Sequence, residues 1–194
     1  TMDRSKFKYD FTSKSTTDVN TEPISGNLNN LPPVAVKLIS GSDLEPLWDQ
    51  LVSSYHYLGY QKLIGHRLKY LAFMKDRPVA ALSWSAPALK LAARDCFIGW
   101  SAAQRKSHLN QMASNSRYLV LPWVQAPNLA SQVLALNIAQ LTEDWQQHFN
   151  YKLLLLETFV DGHYFKGTCY KASNWLHIGQ TRGSSKQGKG YRYH

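Results

Sequence analysis

The sequence predicts a single α+β domain, in which a mixed central sheet carries helices on both faces. Runs with the two-residue period of strands alternate with runs at helical spacing, in the order β, α, β, β, α, β, α, β, α, β. Two of the later strands are separated by one helix, which indicates a βαβ unit with parallel neighbouring strands. The chain has 194 residues, of which 44% are hydrophobic and 18% charged, a composition typical of one globular domain.

Strands are predicted where short β-rich runs are bounded by turn residues. The predicted strands are residues 34–39, 68–74, 78–84, 118–124, 153–160 and 175–178. The second and third are joined only by Lys75, Asp76 and Arg77, which favours a tight hairpin. The fourth and fifth enclose a helix, so we expect them to be parallel neighbours.

Helices are predicted where apolar residues recur three and four positions apart. The first should begin after Ser42 and end near Tyr55, because Ser42 and Glu45 have the spacing of a capping box. The other predicted helices are residues 86–93, 102–112, 129–141 and 165–173. The 129–141 helix is apolar nearly all round, so we expect it to be well buried.

The two ends of the chain differ in composition from its middle. Residues 1–31 are rich in Ser, Thr, Asn, Asp and Lys without an apolar period, which predicts a flexible leader. Residues 32–181 form the predicted domain. Residues 182–194 consist mainly of Gly, Ser, Lys, Arg and Tyr, which predicts a basic flexible tail.

Charge and composition exclude several classes of protein. The 22 Lys and Arg residues exceed the 13 Asp and Glu residues, and the formal charge of +9 favours anionic partners such as nucleic acid. Cys96 and Cys169 are far apart and the histidines lack ligand spacing, so neither a disulfide scaffold nor a metal site is predicted. The apolar runs are far shorter than the roughly 20 residues of a bilayer span. We therefore expect a soluble, cytoplasmic protein with no membrane partner.

The segment after the fourth predicted strand reads Q-A-P-N-L-A, from Gln125 to Ala130. It is similar to the acyl-CoA-binding signature of GNAT acetyltransferases, which is Gln or Arg, two variable residues, Gly, one variable residue, then Gly or Ala. Asn128 stands in place of the first Gly, and Asn tolerates the left-handed backbone that such a turn requires. The predicted order of elements is also the GNAT order. The alternative is an ordinary strand–helix corner with an Asn cap.

The GNAT resemblance implies a GNAT-like fold with an acyl-CoA donor bound at this corner. The free amides and positive dipole end of the following helix would bind the pyrophosphate. The implied cofactor-binding residues are Val124, Gln125, Asn128, Leu129, Ala130 and Ser131.

A second resemblance covers residues 34–183. The phrases Y-H-Y-L-G at 55–59, N-S-R-Y-L-V-L-P-W-V at 115–124, L-E-T-F-V-D at 156–161 and G-T-C-Y-K-A-S-N-W at 167–175 resemble the DruA family. This family occurs in Druantia anti-phage systems and in some transposon-associated proteins. The resemblance implies a bacterial or phage-associated setting, work near foreign DNA and defence-system protein partners. It supplies no established catalytic residues.

Glu157 and Tyr170 are the candidate catalytic residues of an acyl transfer. By alternation Glu157 lies on a largely apolar face of its strand, where a carboxylate is costly unless it is paired or titrates at high pH. It is therefore a candidate general base for an amine, the alternative being a buried ion pair with an Arg such as Arg117. Tyr170 has the place, by order, of the GNAT tyrosine that protonates the leaving thiolate. The alternative is a core aromatic with a bonded hydroxyl group.

The candidate substrate-binding residues are His56, Tyr57, Arg117 and Asp161. The rings around His56 and Tyr57 could stack on a base or another planar substrate, the alternative being a helix end covered by aromatics. Asp161 is also an alternative base, or the start of an Asx turn before Gly162. From Gly162 onwards there are six Lys or Arg residues and no acid, so this basic half could contact nucleic acid or could simply be solvated.

Two functions remain open from the sequence. The first is a GNAT-like acyltransferase of a phage-defence or mobile-element setting, which transfers an acyl group from acyl-CoA to an amine, with nucleic acid as one acceptor. The second is a non-catalytic GNAT-fold module that binds nucleic acid or protein in a Druantia-like defence or transposition complex. The corner at Asn128 discriminates between them, because a donor site needs exposed amides there and a binding module would have it filled.

Overall fold

A five-stranded mixed sheet lies at the centre of the protein. The computed structural model describes residues 19–60 and 65–181, together with the backbone of residues 184–187 and 190–193. The strands are β1 (Ile24–Ser25), β2 (Val34–Leu38), β3 (Arg67–Met74), β4 (Arg77–Ser85), β5 (Met112–Val120), β6 (Val124–Gln125), β7 (Leu155–Thr158), β8 (Ser184–Gln187) and β9 (Gly190–Tyr193). The helices are α1 (Glu45–Tyr55), α2 (Ala92–Ile98), α3 (Ala102–His108), α4 (Leu129–Phe149) and α5 (Thr168–Ala172).

The central sheet has the strand order β2-β3-β4-β5-β7. All of its pairs are antiparallel except β5 with β7, which are parallel neighbours joined by α4, as predicted. Pairing between β5 and β7 runs only from Met112 with Leu155 to Asn115 with Thr158, although β5 continues to Val120. Ser116 is an extra residue in the ladder with β4, because Ser83 pairs with Arg117 while Trp84 pairs with Asn115. Such a bulge re-aims the side chains that follow it.

Helices cover both faces of this sheet, as the sequence predicted. Lys69 and Tyr70 are consecutive residues of β3, so their side chains point to opposite faces. Lys69 forms ion pairs with Glu45 and Asp49 of α1, whereas the Tyr70 hydroxyl donates to Asp144 of α4 at 2.9 Å. With α1 on one face and α4 on the other, almost every residue of β3 and β4 is buried. The mixed α+β architecture is therefore confirmed.

Helix α4 extends eight residues past its predicted end at Leu141. The extension is mostly polar, and Trp145, which is fully buried against the core, anchors it. Asn150, with φ of 60°, then ends the helix in the left-handed conformation. The helix is not buried all round, since Leu136 lies on a solvent face. An apolar pattern alone does not show that one face of such a helix remains exposed.

The predicted capping box of α1 does not form. The helix begins at Glu45 with Leu44 at the N-cap, and the Ser42 hydroxyl accepts the Leu44 amide hydrogen. The Glu45 carboxylate instead accepts the Gly41 amide hydrogen at 2.8 Å and pairs with Lys69. The described structure does contain a capping box at α3, where Ser101 and Gln104 bond reciprocally.

Other boundaries also differ from prediction. The 86–93 helix is wrong, because the chain stays irregular around Pro87 and α2 begins only at Ala92. Residues 175–178 are not a strand. The predicted 102–112 helix ends at His108, and the predicted 118–124 strand corresponds to β5, which starts six residues earlier and ends at Val120. The predicted 153–160 strand and 165–173 helix are the shorter β7 and α5.

The segment 19–31 makes specific contacts with the domain. Strand β1 pairs in parallel with β6, Ile24 opposite Val124, and apolar side chains of the segment pack on the core. Arg77 donates to the backbone carbonyls of Asn20 and Glu22. The packed structure thus includes residues before Pro32, the predicted start of the domain, and residues 1–18 lie outside the described residues.

The predicted tail contains an antiparallel hairpin of β8 and β9. Residues 182–183, 188–189 and 194 lie outside the described residues. Within the part of the chain that the structure describes, no helix is both long and apolar enough to cross a bilayer.

Candidate functional site

A cluster of aromatic and charged side chains lies after the ends of α1 and β7 and beside the part of β5 that continues past its pairing with β7. We call it the Arg117 site, and its members are His56, Tyr57, Arg117, Asp161, Tyr164 and Phe165. Three separate segments supply them, and four of the six are the predicted substrate-binding residues. The structure brings those four together, and their role in binding stays a prediction.

Aromatic rings form one wall of the Arg117 site. The Tyr57 ring lies 4.9 Å from the His56 ring, 5.5 Å from Tyr164 and 5.2 Å from Phe165, measured between centroids. The last two pairs are tilted by 47° and 59°, so the rings enclose a corner rather than a flat surface. Tyr164 is 51% exposed and Phe165 is 39% exposed, which leaves ring surface available for a planar ligand.

Arg117 is half-buried at this wall and held by backbone carbonyls. The turn from His56 to Gly59, where Gly59 has φ of 60°, presents the Gly59 carbonyl oxygen to Nε of Arg117 at 3.1 Å. Nη1 donates to the Ser116 carbonyl at 2.7 Å. In the described residues no carboxylate lies within salt-bridge distance of this guanidinium. Burial lowers the pKa of Arg117, as expected of a cation that has lost water without gaining an anion.

Unlike Arg117, the fully buried cations Lys69 and Arg94 form ion pairs with carboxylates. Lys69 pairs with both Glu45 and Asp49, and Arg94 pairs with both Asp95 and Glu157. Each of them therefore has two carboxylates to offset its desolvation. Among the described residues, Arg117 donates to backbone carbonyls and forms no ion pair with a carboxylate.

His56 is neutral at neutral pH. Its side chain is only 6% exposed, and burial together with the nearby charge of Arg117 lowers its pKa to about 4. Its Nδ1 accepts the Leu58 amide hydrogen at 3.2 Å, which places the remaining ring proton on Nε2. Burial and the negative charge of Asp161 raise the pKa of Tyr57. Asp161 also accepts the His163 amide hydrogen at 3.0 Å, so the predicted Asx turn is present.

The predicted donor corner adopts the backbone that the sequence indicated. Asn128 has φ of 65° and ψ of 0°, the left-handed turn expected of this Asn. A cleft of about 1120 Å³ opens beside it, lined by residues of the 26–29 segment, of α4 and of the end of α5. Of the six predicted cofactor-binding residues, Asn128 and Ser131 line this cleft.

The other four predicted cofactor-binding residues have different surroundings. Val124 and Leu129 are buried in the core. The Gln125 carbonyl accepts the Gly26 amide hydrogen, and the Ala130 carbonyl accepts the Tyr118 hydroxyl hydrogen. Segment 24–29 therefore covers part of the corner and forms one wall of the cleft.

Glu157 is a buried ion-pair residue. Its Oε2 lies 3.0 Å from Nη1 of Arg94, and its Oε1 accepts the Ala88 amide hydrogen at 2.9 Å. The ion-pair alternative of the sequence analysis thus holds, with Arg94 as the partner rather than Arg117. Because both carboxylate oxygens are engaged, this arrangement favours a structural role over that of a general base.

Tyr170 is a core aromatic with a bonded hydroxyl group. Its hydroxyl donates to Oδ1 of Asn115 at 2.6 Å, and its ring packs on Trp175 at 5.2 Å. Burial raises its pKa, which makes the phenol a weaker acid. These contacts match the structural alternative for Tyr170, and its catalytic role stays a prediction.

Sequence reasoning did not single out Tyr164, Phe165 or Arg94. The first two could have been found, since two adjacent rings follow the end of a predicted strand by a few residues. Arg94 gives no such signal, because its importance depends on which carboxylate it meets in the fold. No group of three or more metal-ligating side chains occurs among the residues that the structure describes.

Comparison with known proteins identifies a family for the chain. The family model described as Druantia protein DruA matches residues 4–189. A search of curated proteins found no match.

Proposed function

Since this chain belongs to the DruA family, we propose that it is the component of a Druantia-type defence system that binds nucleic acid through the Arg117 site. The single observation that carries this proposal is the half-buried Arg117 guanidinium, which has no carboxylate partner in the described residues. Removing a cation from water costs several kcal/mol unless an opposite charge offsets it. A bound phosphate group would supply that charge and accept hydrogen bonds from the free edge of the guanidinium.

The surroundings of Arg117 suit a nucleotide better than a simple anion. Tyr164 and Phe165 present ring surface beside Tyr57, whose phenol is influenced by the charge of Arg117. Bases stack on such rings whatever their sequence. The formal charge of +9 would attract a polyanion from a distance. Phosphate neutralisation and ring stacking therefore act together at one place.

Arg117→Gln tests the proposal. We expect the variant to bind a fluorescent 12-nucleotide single strand about tenfold or more weakly at low salt. The slope of log affinity against log salt should also fall by about one, because one phosphate contact is lost. Fluorescence anisotropy over a salt series measures both quantities.

Lys37→Gln is the matched control for this experiment. It also removes one positive charge, but Lys37 is exposed on β2, at the edge of the sheet opposite β7. If both variants lost affinity for the strand equally, the loss would reflect net charge alone, and a specific site at Arg117 would be rejected. Absence of binding to the unmodified protein at low salt would reject the function.

Acyl transfer from acyl-CoA to an amine is the second candidate function. The left-handed Asn128 and the adjoining cleft at the start of α4 favour it. The amine would attack the thioester carbonyl and lose a proton to a base such as Glu157, while the departing thiolate would take a proton from Tyr170. This candidate is weaker than the first, because Glu157 is paired with Arg94 and the Tyr170 hydroxyl donates to Asn115.

Ser131→Asp tests the donor corner. Ser131 lines the cleft in the first turn of α4, where an acid favours the helix but repels an anionic ligand. Under the second candidate, calorimetry should detect acetyl-CoA binding at micromolar to millimolar dissociation constants, and Ser131→Asp should abolish it. Leu136→Asp, on a solvent face of the same helix, should leave it unchanged. Absence of binding to the unmodified protein at millimolar acetyl-CoA would reject this candidate.

A further inference from the structure

We infer that the Arg117 site selects an unpaired nucleotide, so that the ligand is single-stranded nucleic acid or a base displaced from a duplex. This inference rests on the proposed function and names the substrate class of the same site. It follows from three features: the depth of the cation, the shape of the aromatic wall and the mixture of charges around them.

The depth of the cation limits which phosphates can reach it. Arg117 is half-buried, and both of its bonded nitrogens are tied to the backbone carbonyls of Gly59 and Ser116, so it cannot swing outwards without breaking those bonds. A duplex is stiff, with a persistence length of about 150 base pairs, so its phosphates do not leave the helix to enter a recess. A recessed guanidinium instead favours a flexible strand that can enter the site.

The aromatic wall requires access to the face of a base. Tyr164 and Phe165 lie 6.3 Å apart between centroids and are tilted by 54°, so a ligand meets two differently inclined rings rather than one plane. In a duplex, each base face is covered by its neighbours in the stack. Only an unstacked base can place its face on these rings.

The mixture of charges indicates that the site recognises more than a phosphate. Asp161 lies near enough to Tyr57 to raise its pKa, while Arg117 acts on the same phenol in the opposite direction. A surface for duplex backbone would be impaired by a carboxylate at this point. A nucleotide can use both charges, its phosphate at Arg117 and an amino or imino hydrogen of its base at Asp161.

Anisotropy titrations of the full chain with four probes test the inference. The probes are a 12-nucleotide DNA strand, the RNA strand of the same sequence, the DNA duplex and the DNA strand with abasic positions. We expect a single strand, DNA or RNA, to bind at least tenfold more tightly than the duplex at equal salt. The abasic strand should lose most of that advantage, because it keeps every phosphate but has fewer bases to stack.

Phe165→Ala should weaken binding of the single strand much more than binding of the duplex, and so remove most of the preference for the single strand. Phe165→Trp should restore the preference, because the larger ring still stacks. Phe97→Ala is the matched control, since it removes an exposed ring from α2. Thermal melts of all three variants confirm folding, which is expected because both phenylalanines are exposed.

Two results would overturn the inference, and they are distinguishable. Equal affinity for strand and duplex, with both lost in Arg117→Gln, would reject single-strand selection and leave the proposed function standing. Absence of binding to every probe would reject the proposed function and this inference together.

Discussion

Arg94→Ala is expected to destabilise the fold by about 3–5 kcal/mol, the usual cost of removing one partner of a buried ion pair. Arg94 is only 1% exposed and joins α2 to β7 through Glu157. It also donates to the Ala88 carbonyl at 2.8 Å and to Asp95. Without it, Glu157 would remain buried as a carboxylate with no cation. Urea unfolding followed by circular dichroism measures the loss.

Two further variants separate this effect from a general loss of charge. Arg105→Ala removes the more exposed second partner of Asp95 and should cost less than about 1 kcal/mol. Replacing both partners together, Arg94→Met with Glu157→Leu, should recover much of the stability lost in Arg94→Ala. An Arg94→Ala cost as small as that of Arg105→Ala would contradict a structural ion pair. It would also restore Glu157 as a candidate base.

Acidification from pH 6.5 to about 4 is expected to remove about 3 kcal/mol of stability through His56 alone. The folded protein holds the pKa of His56 at about 4, mainly by burial and secondly through the charge of Arg117, against an ordinary value of 6.5. Within that range the unfolded chain binds a proton that the folded protein does not. The His56 contribution is therefore complete above pH 6.5 and is lost as the pH falls to about 4.

The measurement is the free energy of unfolding in urea at several pH values. His56→Gln should flatten the dependence between pH 6.5 and 4.5, because no proton is then taken up at this position. His163→Gln is the control, since His163 is an exposed histidine next to Asp161. The lowered pKa of Glu45 adds a loss of stability mainly below 4.5. An unchanged slope in His56→Gln would show that another group causes the effect.

Local pattern was sufficient to predict the parts of the fold that depend on neighbouring residues. The run of strand, helix and strand around α4 predicted the parallel pair of β5 and β7, because one intervening helix leaves few other connections. Asn128 was predicted to adopt the left-handed conformation, and its φ is 65°. The first result follows from the order of three successive elements, and the second from the backbone preference of a single residue.

The candidate site was predictable in part for a different reason. His56 and Tyr57 follow the end of α1, Arg117 lies on β5 beyond its pairing with β7, and Asp161 follows β7. Side chains that leave a sheet at the same edge come close together, so the order of elements already favours their meeting. Tyr164 and Phe165 complete the site because the turn after Asp161 brings the chain back towards Tyr57.

The tertiary structure alone decided which partner each buried charge obtained. The alternation along β7 indicated that Glu157 needs a cation, but the choice of Arg94 over Arg117 depends on where α2 packs. In the same way, Glu45 forms an ion pair with Lys69 of β3, and the local capping box with Ser42 does not form. Residues 24–25 form a strand through parallel pairing with β6, which is distant in the sequence. A sequence determines local preferences, whereas desolvation and pairing act between residues that are distant in the chain and meet only in the folded protein.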